Sequence, residues 1–183
     1  GGRMRFFLLP FLLFSFVFAC DFPHEEVGGY KIGCPYEGNG KLKQDSSVKI
    51  FEEKLDGGFF ETAEIALLNG NIEKITFTTF YNDSSQSFKK IADFSKDRDA
   101  LISSISEKWG DYKELDVGGG TVLYTIRDPK SDVLNSVFVI QMPDSAYSTI
   151  ALSITYSSKK LSDYEEELSV KEKEERSKQL EGF

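Results

Sequence analysis

From Phe6 to Ala19 the chain is apolar at almost every position, behind Arg3, Arg5 and the first methionine, Met4. That run is shorter than the ~20 residues a membrane-spanning helix needs, and it ends in a small residue suited to a peptidase. It predicts an export signal over residues 1–19. A helix of a folded domain keeps a polar face, and this run has none. Gly1-Gly2-Arg3 reads as a cloning scar or an over-long start and is left out of fold reasoning.

Beyond the signal the pattern shortens to strand-like alternations. Residues 20–29 read as a tether. Tyr30 and Ile32 face one way in a glycine-rich extended stretch, followed by turns near Pro35 and Gly38-Asn39-Gly40, and Val48-Lys49-Ile50-Phe51 opens a short apolar segment. Two longer runs, FFETAEIALLN and NIEKITFTTFY, meet at Asn69-Gly70, a pair suited to the type I′ hairpin turn. In the second run Ile75 and Phe77 mark a core face, shared by Glu73 and Thr79, while Lys74, Thr76 and Thr78 make the opposite face largely polar.

The period then becomes helical. Leu101, Ile102, Ile105 and Trp109 fall on one stripe of DRDALISSISEKWG, with Asp97 as N-cap and Gly110 as the stop. Phe88, Ile91 and Phe94 predict a shorter helical piece upstream. Trp109 ends the apolar stripe, which makes it a core residue in preference to a ligand-stacking one. Three strands follow, TVLYTIRD, NSVFVIQM and STIALSITYSS, with Val122, Tyr124 and Ile126 on one side of the first and Ile150, Leu152, Ile154 and Tyr156 on one side of the last. Their short connections imply antiparallel pairing. The expected fold is a single α+β domain over residues 30–160, mainly an antiparallel sheet of about five to six strands. A central amphipathic helix and a charged C-terminal helix lie on one side. Residues 161–183 form that charged helix or tail: Leu161, Tyr164 and Leu168 dock its first turns, and Glu167 with Lys171, Glu172 with Arg176 and Glu174 with Lys178 lie at helical pair spacing.

Charge removes one class of partner. The chain carries 22 basic and 30 acidic side chains; without Arg3 and Arg5 the balance is 20 against 30, a net charge of −10. No basic stripe interleaved with aromatics occurs, so nucleic acid is not an expected partner. About 160 residues beyond the signal suffice for a core without metal or several bridges.

The two cysteines leave two fates open. Phe16-Val17-Phe18-Ala19-Cys20 resembles the lipobox of bacterial lipoproteins, which implies acylation of Cys20 and anchoring of the mature chain to a bacterial membrane. Asp21 resembles the signal that retains some such proteins in the inner membrane. The other fate is removal of the signal before Cys20 and a disulfide between Cys20 and Cys34 in an oxidising compartment. The two exclude each other, since an acylated sulfur cannot pair. The layout of the mature chain resembles small uncharacterised bacterial envelope proteins, a likeness that carries no site residues.

Catalytic patterns are sparse. His24 is the only histidine and sits in the expected tether, a poor base for a triad that needs fixed geometry. His24-Glu25-Glu26 lacks zinc-site spacing, so no metal is expected. An activated Cys34 would have His24 as its only imidazole partner. Gly118-Gly119-Gly120 reads as a hairpin or loop, since no strand, glycine spacing and helix of a phosphate cradle accompany it. Asp111, Tyr112 and Glu114 read as a solvated loop. No catalytic residue and no cofactor are expected. The leading expectation is a non-enzymatic envelope protein, lipid-anchored through Cys20 and contacting another envelope protein. The alternatives are a periplasmic binder of a small apolar or lipidic ligand and an inhibitor of an envelope hydrolase.

Overall fold

The computed structural model describes residue 20 and residues 23–83, 89–127, 129–144 and 149–180. The signal reading of residues 1–19, the retention reading of Asp21 and the helical reading of Phe88 lie outside the described residues.

Two short strands, β1 (Glu25–Val27) and β2 (Tyr30–Ile32), form a hairpin of their own. The main sheet has eight strands: β3 (Lys41–Gln44), β4 (Val48–Lys54), β5 (Thr62–Leu68), β6 (Asn71–Tyr81), β7 (Lys113–Gly118), β8 (Thr121–Arg127), β9 (Leu134–Asp144) and β10 (Thr149–Ser158). Its spatial order is β3-β4-β5-β6-β10-β9-β8-β7, with every neighbouring pair antiparallel. Helix α1 (Phe94–Trp109) carries the chain from the centre of the sheet to its far edge, and α2 (Lys159–Leu180) leaves from the end of β10. Two four-stranded meanders therefore meet along β6 and β10.

The α+β class stands, but the expected five to six strands become ten in two sheets. The additional strands carry little burial signal: every residue of β3 and of β7 is exposed. They are held by backbone ladders at the sheet edges, where side-chain alternation is not required. The expected tether contains β1, and the solvated loop at Glu114 is part of β7. The Asn69-Gly70 turn joins β5 to β6 with positive φ at both positions, 55° and 88°, as a type I′ turn demands.

One face of the sheet holds the core. Ile65, Ile75, Phe77, Ile154, Leu152, Val139, Val137, Tyr124 and Ile126 are buried there, and α1 covers them with Phe94, Ile102, Ile105 and Trp109. Phe94 meets Tyr81 edge-on at 5.3 Å, and Trp109 meets Tyr156 at 6.3 Å. Asp97 is not the N-cap of α1. A 3₁₀ turn at Ile91–Asp93 starts the helical path earlier, Asp93 takes the cap position, and Asp97 accepts a hydrogen bond from the Tyr81 hydroxyl at 3.0 Å. Gly110 closes the helix at φ 114°, its N–H donating to the carbonyl of Ser106.

Helix α2 docks through Leu161, which is buried, and through half-buried Ser162 and Tyr164; all residues from 165 to 179 are exposed. Lys160 in its first turn lies 3.5 Å from the carboxylate of Glu73, which is 1% exposed at an irregularity in the β5–β6 ladder. Among the described residues no helix is long and apolar enough to cross a membrane.

Candidate binding surfaces and the cysteine cleft

Hairpin register brings the chain's cysteines and histidine together. Glu25 pairs with Ile32, so His24, one residue before β1, arrives opposite the segment that follows β2. There Gly33 turns the chain at φ 92°; its N–H donates to Ile72 (2.7 Å), and the N–H of Ile72 donates to the Cys34 carbonyl (2.8 Å). Cys34 is thereby fixed against the start of β6 and is 4% exposed. Cys20 is exposed, and its sulfur lies at disulfide-bonding distance from that of Cys34. A ring nitrogen of exposed His24 and both sulfurs lie within 4.8 Å of one another. The trio His24-Glu25-Glu26 does not converge in the same way: Glu25 accepts from the Ser131 hydroxyl at 3.2 Å and lies 3.7 Å from Lys108 Nζ, while Glu26 is exposed.

Beside the sulfurs opens a cleft of about 360 Å³, lined by Tyr30, Tyr36, Gly38, Glu53 and both cysteines among others. The hydroxyls of Tyr30 and Tyr36 both donate to the carboxylate of Glu53, one to each oxygen, and the Gly40 N–H donates to the Tyr36 oxygen at 2.7 Å. A side chain at Gly38 would fall on Glu53 Oε1 and the Tyr36 ring, so the close approach requires glycine. Burial and then the bond to Glu53 push the Tyr36 hydroxyl up to about 12, and the same two causes raise Tyr30 further. Both phenols therefore stay protonated at neutral pH. They act as donors that latch β2 and the segment after it onto β4, and they supply neither base nor nucleophile.

A second cavity, of about 270 Å³, lies under the β1–β2 turn and the β4–β5 connection, where Phe59, Phe60, Phe77 and Tyr156 line it. Lys89 Nζ sits 3.9 Å from the centroid of the Phe59 ring. Trp109, at 3% exposure, belongs to the core as its stripe predicted. Tyr112 is exposed and stacks edge-on against Tyr124 at 5.8 Å, and Asp111 is exposed. The three glycines at 118–120 turn β7 into β8 with positive φ throughout, and a strand follows them where a phosphate cradle has a helix.

The opposite face of the sheet differs in kind. Along its central seam Thr76 bonds Thr155 and Thr78 bonds Ser153, each hydroxyl pair at 2.8 Å. Beyond these pairs the same face becomes apolar. Leu115, Leu123 and Ile140 lie directly across three strands from one another, and Phe80, Ala151 and Met142 form a second row. Leu115 is 56% and Met142 42% exposed, Phe80 is exposed, and Leu123, Ile140 and Phe138 are half-buried.

The Glu53 latch and this apolar strip went unnoticed in the sequence. A signal for the first existed, since Phe51 and Glu53 share a strand face and a carboxylate in phase with a core phenylalanine calls for a donor. Comparison with protein-family models, curated proteins and solved structures gives no match for this chain.

Proposed function

We propose that this is an exported, non-enzymatic bacterial envelope protein that binds another protein through the apolar strip on the outer face of its sheet. The observation that carries the reading is the exposure of Phe80, Leu115 and Met142 together on the face opposite α1. Clustered exposed apolar side chains mark interaction surfaces, whereas scattered ones carry no such meaning. Proximity of the two sulfurs supports maturation in an oxidising compartment. It also favours the bridged fate of Cys20 over acylated anchoring, a choice that the intact mass of the mature protein decides.

A photo-crosslinking residue placed at Leu115 or Met142 tests the surface in the native envelope, with exposed Ser104 on α1 as control. The expected result is a discrete crosslinked species at both strip positions and none at Ser104, lost when Leu123 and Ile140 are changed to serine. Equal labelling at all positions, or none at the strip, removes the proposal.

The aromatic cavity favours one second reading, a small apolar ligand. At about 270 Å³ it falls just below the ~300–1,000 Å³ usual for ligand sites. Native mass spectrometry of the exported protein checks this, and a retained lipid or aromatic adduct would promote that reading above the first.

A further inference from the structure

We propose that Cys20, His24 and Cys34 form a three-ligand site for a thiophilic divalent cation, Zn²⁺ foremost, when the two cysteines are in the thiol form. Bridge and metal are then alternative states of one pair of sulfurs.

The donor set is the first argument. Two thiolates and one imidazole suit Zn²⁺, which takes sulfur at ~2.3 Å and nitrogen at ~2.0–2.1 Å. Tetrahedral bonds of that length place ligand atoms roughly 3.5–4 Å apart. The three donor atoms here already lie within 4.8 Å of one another. The bonded sulfurs must separate and the imidazole must settle by no more than about 1 Å, and Cys20 and His24, both exposed, are the side chains with room to turn.

Positioning is the second argument. The sequence interval between His24 and Cys34 belongs to no zinc pattern; the site is made by the Glu25–Ile32 register, which returns the chain on itself. Cys34 is anchored through Gly33 and Ile72, so one ligand is rigid and two approach it from the solvent side. The acidic balance of the chain favours a cation at its surface. With three protein ligands, the fourth position belongs to water or to a donor from outside.

The chemistry balances without a protein-borne oxidant. Two equivalents of an external thiol reduce the bridge, giving Cys20–SH, Cys34–SH and one disulfide of that thiol. Zn²⁺ then displaces the two thiol protons, and the positive charge of the ion is matched by two thiolates beside a neutral imidazole. A newly exported chain carries both thiols before any oxidant reaches them, so metal capture and bridge formation compete. Acylation of Cys20 would end both.

The test uses the exported protein, reduced with a phosphine, desalted under argon, and titrated with Co²⁺ and then Zn²⁺. One equivalent of Co²⁺ is expected, with thiolate-to-metal charge transfer and tetrahedral visible bands that Zn²⁺ abolishes; the oxidised protein should show neither. His24→Ala should weaken binding by at least about tenfold, the loss that even a supporting partner of a ligand produces, and Glu26→Gln should leave it unchanged. If Cys34→Ser compromises folding, as far-UV circular dichroism would report, the exposed His24 variant carries the decision. Binding that survives oxidation, or that His24→Ala does not weaken, assigns the metal to surface carboxylates and overturns the proposal. Absence of a charge-transfer band in the reduced protein, or an acyl mass on Cys20, overturns it as well.

Discussion

Replacing Trp109 with alanine separates a packing role from a binding one. The side chain is 3% exposed, lies against Tyr156, and has Lys108 Nζ 4.2 Å from its ring centroid. A buried aromatic removes about 150–250 Å² from water, worth roughly 4–6 kcal/mol at ~25 cal/mol per Å². Alanine keeps a little of that area and the unfolded chain hides some of it, which brings the expected loss to about 4 kcal/mol, inside the ~3–5 measured for such truncations. In a chain of this size each kcal/mol moves the melting temperature by ~2–4 °C, so a fall of roughly 8–16 °C is expected. Because Trp109 is the only tryptophan, the variant is followed by far-UV circular dichroism in urea and on heating, not by fluorescence. Trp109→Phe keeps a ring against Tyr156 and should recover more than half of the loss. A Trp109→Ala protein within about 1 kcal/mol of the parent would contradict the packing assignment and return Trp109 to the list of ligand contacts.

Three further outcomes follow from the same structure. Cys20 and Cys34 are 14 positions apart, so reducing the bridge or changing Cys34 to alanine should lower stability by about 3 kcal/mol on the loop-entropy estimate; a urea midpoint indifferent to reductant refutes the bridge. Tyr30→Phe and Tyr36→Phe should each lower stability by about 1 kcal/mol, less than a fully buried charged hydrogen bond because both rings are only partly covered. Their shared acceptor makes the double variant non-additive, and strict additivity in a double-mutant cycle would show that Glu53 does not join them. Alkaline pH should also unfold the protein early. Burial raises Tyr156 to about 12, burial and Glu53 raise Tyr36 to about 12, and burial with Asp97 raises Tyr81 further. The folded state thus holds phenolic protons that the unfolded state releases near 10, the ordinary tyrosine value. Their stabilisation is complete below pH 10 and is lost as pH rises through 10 toward 12. A melting temperature flat to pH 12 would remove this linkage.

Elements with a burial signal were legible in the residues, and elements without one were not. The β5–β6 hairpin could be read because Asn69-Gly70 and the Ile75, Phe77 alternation agree, and α1 because Ile102, Ile105 and Trp109 recur at helical spacing. Strand β7 escaped because Leu115 and Val117 point to no core and its other residues are charged or glycine. The approach of His24 to Cys34 escaped for a different reason. It depends on the register of a hairpin with three-residue strands, which no local pattern fixes when only Val27 and Ile32 are buried in it. Asp97 was misplaced because a 3₁₀ turn with no buried residue precedes α1, leaving the start of the helical path without an apolar mark.

How a partner would meet the sheet follows from its edges. Strand β7 is a free edge among the described residues, which invites strand addition, yet three of its six residues are Lys113, Glu114 and Asp116, and its ladder is interrupted between Asp116 and Gly118. The Gly118 N–H is taken by the Asp116 carboxylate at 2.8 Å. Charges and irregular ladders are how sheets discourage edge pairing. The Leu115, Leu123, Ile140 row begins at this same strand and runs inward across β8 and β9, and the Met142, Ala151, Phe80 row lies beside it on β9, β10 and β6, so a partner gains burial by lying over the face and little by extending the ladder. The seam of threonine and serine pairs ends the first of these rows at Ser153, beside Ile140, with hydroxyls already bonded to one another, which limits what a partner would desolvate there. The cysteine cleft lies on the α1 side, with Glu53 in phase with Phe51 and Ile65. The strip and the cysteine site therefore occupy opposite faces, and strip variants that abolish crosslinking should leave the reduced protein's Co²⁺ spectrum unchanged.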